Sequence, residues 1–70
     1  MNVQINGESR DFQGSLALSA LVEQLGMKAD RVAVELNSNI VPRTQWTATQ
    51  INDGDRLEIV QFVGGGSLPK

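Results

Sequence analysis

A chain of 70 residues supports one domain, with a core so small that each element must be locally well specified. It contains no cysteine and no histidine, which removes disulfides, thiolate chemistry and the commonest general base and metal ligand together. Six basic residues against eight acidic ones, a formal charge of -2, leave no basic face for nucleic acid.

The first residues lack the charged-then-apolar pattern of a signal peptide, and no apolar run approaches membrane-spanning length. The expectation is a soluble cytoplasmic protein without a nucleic-acid or membrane partner. Val3 and Ile5 alternate with Asn2, Gln4 and Asn6, which predicts a half-buried strand. Asn6-Gly7 is the pair favoured in a type I′ hairpin, because both central positions take positive φ. The chain then returns through residues 9–12, with Phe12 as inward anchor and Arg10 on the same face at the sheet margin.

Gln13-Gly14-Ser15 breaks the pattern. Leu18, Leu21, Val22 and Leu25 then recur at the spacing of one helical stripe, with Ser19, Ala20, Glu23 and Gln24 outward and Gly26 as a left-handed stop. So short a helix does not hold alone in water and must lie across a sheet. Residues 27–31 connect to another alternating strand, in which Val32, Val34 and Leu36 oppose Ala33 and Glu35. Asn37-Ser38-Asn39 is a turn, Ile40-Val41 a short strand, and Pro42 ends that strand or marks it as an edge.

Residues 43–46 read as a turn or one helical turn, with Trp46 on the core edge and its ring N–H finding an acceptor. Residues 47–51 lead to Asn52-Asp53-Gly54-Asp55, a turn whose carboxylates are expected to accept backbone hydrogen bonds rather than hold a metal. The last strand, residues 56–63, puts Leu57, Ile59, Gln61 and Val63 on one face and Glu58, Val60 and Phe62 on the other. A hairpin, a crossing helix and a last strand parallel beside the first make a two-layer α+β domain. The order fits the β-grasp or ubiquitin-like roll, a mixed sheet of four to five strands packed by one helix, and short strands with one helix also suit other small α+β folds. It is expected over residues 1–63, with residues 64–70 as a flexible tail.

No nucleophile–base set is visible, so the chain is not expected to be an enzyme. Gly64-Gly65-Gly66 can act as a linker, or as a thread that enters a channel too narrow for side chains. A chain ending in glycine delivers a carboxylate into another enzyme. Adenylation by ATP gives that carboxylate a good leaving group, which a sulfur donor can displace. With Leu57 and Ile59 inward, Val60 and Phe62 face solvent just ahead of the glycines, either as a docking patch or as scattered apolar residues that sheet twist or a nearby loop covers.

Several stretches together resemble the ThiS family, the small sulfur carriers of thiamine biosynthesis. They are Val3-Gln4-Ile5-Asn6-Gly7, Leu21-Val22-Glu23-Gln24-Leu25, and Val34-Glu35-Leu36-Asn37-Ser38-Asn39-Ile40-Val41-Pro42-Arg43. Trp46, the Asn52-Asp53-Gly54-Asp55 turn and Val63-Gly64-Gly65-Gly66 complete a resemblance that covers residues 1–66. It implies the ubiquitin-like fold and a covalent carrier site at Gly66, with Gly65 beside it and Gly64 extending the thread. It also implies that Val60, Phe62 and Val63 touch partners. The implied partners are an E1-like, ThiF-like adenylating enzyme using ATP and magnesium, a cysteine desulfurase route, and a ThiG-like thiazole synthase. That synthase would take sulfur from the thiocarboxylate. No cofactor is expected to stay bound.

The family normally ends at the diglycine, whereas this chain continues with Ser67-Leu68-Pro69-Lys70. While those residues remain, Gly66 has no free carboxylate. Removal of residues 67–70 is the expectation. A segment foreign to the natural protein, and a homologue that has left sulfur carriage, are the other two readings. Competing functions are the small subunit of molybdopterin synthase, a β-grasp interaction module that carries nothing, and a modifier attached to lysines.

Overall fold

A computed structural model describes residues 1–62. The expectations for residues 63–70, the glycine thread included, lie outside the described residues.

The hairpin forms as its sequence dictates. Strand β1 (Asn2–Ile5) and strand β2 (Glu8–Asp11) pair antiparallel, with Ile5 opposite Glu8. The turn between them puts Asn6 at φ 52 and Gly7 at φ 84, the conformation that Asn and Gly adopt at least cost. Strand β2 is exposed throughout and forms one edge of the sheet. Phe12 falls just outside β2. It is half-buried against the core rather than inside it, and its N–H donates to the Met1 carbonyl at 2.9 Å.

After the break, the two-residue strand β3 (Leu16–Ala17) leads straight into helix α1 (Leu18–Gln24). The helix begins without a side-chain cap; instead the Leu18 N–H donates to the Thr49 carbonyl at 2.8 Å. That tertiary bond satisfies one of the helix's orphan donors. Leu18, Leu21 and Val22 are buried, and Leu25 is half-buried at the helix end. Gly26 comes next at φ 76, in the left-handed region, and closes the turn.

A 3-10 helix (Ala29–Arg31) joins α1 to strand β4 (Val32–Leu36). The next hairpin turns on Asn37 and Ser38, at φ 50 and 74. Strand β5 is therefore Asn39–Ile40, one residue earlier than the alternation suggests, and Val41 continues the ladder with one bond to the Val34 carbonyl at 3.0 Å. A second 3-10 helix (Arg43–Ala48) carries Trp46 into the core at 2% exposure, with its ring N–H donating to the Val41 carbonyl at 2.9 Å.

Strand β6 (Gln50–Ile51) pairs antiparallel with β3, a small second sheet in a stretch that the sequence presents as mere connection. Two residues are too few to show alternation, so neither strand leaves a pattern. Ile51 enters the core through this pairing. Strand β7 (Arg56–Gln61) completes the main sheet, in the order β2-β1-β7-β4-β5. It runs parallel to β1 and antiparallel to β4. Val3, Ile5, Val34, Leu57 and Ile59 pack with the buried stripe of α1 and with Trp46 and Ile51. The architecture is the expected mixed sheet with one helix on one face, the ubiquitin-like β-grasp. No helix among the described residues is long and apolar enough to cross a membrane.

Candidate functional site

Strand β7 runs down the centre of the sheet and is the last element before the glycines. Its start is held by the acidic turn. The Asp55 carboxylate accepts the Asn52 N–H at 2.7 Å and the Asn37 side-chain amide at 3.0 Å. The Asp53 carboxylate accepts the Asn2 N–H at 2.7 Å, and the Gly54 N–H donates back to the Asn2 carbonyl at 2.8 Å. Both aspartates are thus engaged with backbone donors, as expected of a turn, and Gly54 sits at φ 88.

The middle of β7 is held by a side chain that acts as a strand residue. Beyond the end of β1, the Asn6 carboxamide oxygen accepts the Ile59 N–H at 2.7 Å, and its nitrogen donates to the Ile59 carbonyl at 3.2 Å. The parallel ladder is therefore extended by one rung without backbone. Asn6 has two functions: it supplies the positive φ of the hairpin and satisfies both polar groups of Ile59. At the far end, the Phe62 N–H donates to the Arg31 carbonyl at 2.7 Å. The chain is thus tied to the sheet as far as Phe62, two residues before the first of the glycines.

The face of the sheet away from α1 is open. Val60 stands on it with 62% of its surface exposed, opposite Ala33. Ile40, 74% exposed, stands on β5 with β4 between it and β7, opposite Glu35. Ala33, Glu35, Ile40, Glu58 and Val60 line a shallow groove there. Phe62 is different. It is half-buried, just past the end of β7, and not solvent-facing to the degree alternation requires. Gln61, placed with Leu57 and Ile59 by alternation, is exposed instead, so the inward pattern stops at Ile59. Val63, Gly64, Gly65 and Gly66 lie outside the described residues.

Sequence reasoning missed Ile40 as a surface residue, because its strand is too short to reveal a face. It also missed the pairing of Glu35 with Glu58, which depends on the register between β4 and β7. No group of three or more metal-ligating side chains occurs among the described residues.

The fold defines the chain as a ubiquitin-like β-grasp domain. The family model described as "ThiS family" matches residues 3–66. The chain belongs to the ThiS family. It is 49% identical over 67 residues to a thiazole synthase of Paramagnetospirillum magneticum, a match covering 96% of this chain and 21% of that protein. The chain thus spans about a fifth of that relative's length. It is 30% identical to the sulfur carrier protein ThiS of Escherichia coli, covering 94% of this chain and 100% of that one. The crystal structure of a ThiS from Geobacter metallireducens superposes with a TM-score of 0.81 at 37% identity, covering 93% of this chain and 99% of that one. Proteins of this family are carriers, co-substrates rather than catalysts.

Proposed function

We propose that this chain is a sulfur carrier whose Gly66 carboxylate is adenylated by an E1-like, ThiF-like enzyme with ATP and magnesium. The acyl-adenylate is then attacked by sulfur from a cysteine desulfurase route, AMP leaves, and a thiocarboxylate remains at Gly66. A ThiG-like thiazole synthase takes that sulfur for the thiazole of thiamine. Residues 67–70 are removed beforehand, because a peptide bond at Gly66 leaves no carboxylate to activate. The chemistry is done by the partners. This chain supplies the reacting carboxyl group, the side-chain-free thread of Gly64, Gly65 and Gly66, and the partner-binding residues Val60, Phe62 and Val63.

The observation that carries this reading is the extent of the family match, which stops at Gly66, the residue whose carboxyl group the chemistry needs. The thiazole synthase relative, in which a domain like this one forms part of a longer chain, favours the thiazole branch over molybdopterin synthesis.

The test is the intact mass of the protein isolated from its own host with the thiamine pathway induced. The expected main species ends at Gly66, and part of it is heavier by the difference between sulfur and oxygen. A sole species ending at Lys70 would overturn the carrier reading and leave an interaction domain. A thiocarboxylated species that delivers sulfur to a pterin rather than a thiazole would assign the molybdopterin branch.

A further inference from the structure

The first hairpin carries a chemical liability in its turn. Type I′ geometry selects Asn6-Gly7 because both residues take positive φ, 52 and 84 here. The same pair is the one in which asparagine deamidates most readily. The amide nitrogen of the following residue attacks the side-chain carbonyl carbon, and a glycine has no side chain to obstruct the ring that forms. The other four asparagines are followed by Val3, Ser38, Ile40 and Asp53, all bulkier. Nothing nearby obstructs the ring either. Gly7 is exposed, and even a Cβ placed there would meet no atom within 4 Å.

What holds the reaction back is strand β7. The Asn6 carboxamide accepts the Ile59 N–H at 2.7 Å and donates to the Ile59 carbonyl at 3.2 Å. The backbone N–H of Asn6 donates to the Leu57 carbonyl at 2.9 Å. While these bonds stand, the carbon under attack is pinned to a strand whose Leu57 and Ile59 side chains are buried in the core. Freeing it means parting β7 from the end of β1, a local unfolding that costs much of the stability of so small a domain. Asn37 is held in a similar way, by the Arg56 N–H and Asp55 at 3.0 Å each, but there the bonds are exposed and the next residue is Ser38.

We propose that Asn6 is a site of spontaneous deamidation gated by its bonds to Ile59, converting when the hairpin parts from β7 and not in the closed sheet. In the open state the Gly7 nitrogen loses its proton to hydroxide and bonds to the Asn6 side-chain carbonyl carbon. The carbon–nitrogen bond of the carboxamide breaks and ammonia leaves. Water then opens the cyclic imide at either carbonyl, giving aspartate or isoaspartate. Neither step needs an oxidant or a reductant. Both products set a carboxylate against the Ile59 carbonyl where a donor stood, and each takes the formal charge from -2 to -3. Isoaspartate also adds a backbone carbon to a two-residue turn whose geometry has no room for it. Conversion therefore weakens the closed state that had prevented it. The inference is independent of the carrier reading, because the reaction belongs to the chain alone.

The test incubates the full chain in mildly alkaline buffer, with and without urea above the unfolding midpoint. Peptide mapping by mass spectrometry then follows the conversion of amide to acid at each asparagine. In urea, Asn6 is expected to convert ahead of the other four. In the native chain its rate is expected to be at least about a hundredfold lower, with L57A in between. Should L57A not fold, the parent in urea below its midpoint makes the same comparison. The N6D variant stands in for the aspartate product. It is expected to melt about 5 °C lower than the parent, with faster hydrogen exchange at the Ile59 amide. Another asparagine leading in urea would refute the site. Equal rates at Asn6 in the native and unfolded chains would refute the gate. So would a slow native rate that neither L57A nor mild urea raises. An N6D variant as stable as the parent would refute the weakening.

Discussion

Leu57 and Val60 lie on the same strand, and their surroundings could hardly differ more. Leu57 faces α1 at 1% exposure, among Val3, Val34, Trp46 and the helix stripe. Val60 faces away from the helix with most of its surface in water. The covered face is apolar and closely packed, whereas the open face mixes two aliphatic side chains with two opposed glutamates. Packing gives the first face its stability. The second keeps Val60 and Ile40 in solvent. The two faces share one backbone, so a change on either side can be read for stability and for docking at once.

The largest effect is expected on the covered side. Leu57→Ala should cost about 3 kcal/mol through lost burial and the cavity left behind. In a domain this small, that leaves little net stability, and urea unfolding monitored by circular dichroism should show the midpoint collapse. A loss below about 1 kcal/mol would mean the core around Leu57 is looser than the packing indicates.

Next comes the edge between the faces, where Asn6 holds Ile59. Asn6→Ala should cost about 2 kcal/mol, because the Ile59 N–H loses its acceptor and alanine is strained at φ 52. Asn6→Gly separates the two causes. It restores the backbone freedom and should recover about half of the loss. Hydrogen exchange at the Ile59 amide checks the assignment, since both variants should exchange faster there than the parent. Equal stability of the alanine and glycine variants would place the whole cost in the hydrogen bonds.

Gly54→Ala should cost about 1 kcal/mol. A Cβ would meet no atom within 4 Å there, so the penalty comes from φ 88 alone. Thermal melting reads it. The smallest effect on stability belongs to Val60→Ser on the open face, within about 0.5 kcal/mol of the parent. If that substitution destabilised the protein as much as Leu57→Ala does, the contrast between the faces would be lost.

The hairpin at Asn6-Gly7, the helix stripe, the β4 and β7 patterns and the buried Trp46 were legible because each is written in local chemistry. Positive φ calls for Asn and Gly, and burial on one face calls for a period of two or of about 3.6 residues. The short pair β3 and β6 was not legible, and with it the place of Ile51 in the core. Nor was the exposure of Ile40, the half-burial of Phe62, or the pairing of Asn6 with Ile59.

The sequence by itself determined that this is one small α+β domain without cysteine or histidine chemistry, that its central strand leads into three glycines, and which family it belongs to. Only the tertiary structure decided which residues share a face across strands. Alternation says that Glu35 and Glu58 each point away from a core, but not that they point at each other. That depends on register, and register is set by the long-range ladder between β4 and β7 and by the turns that pin it.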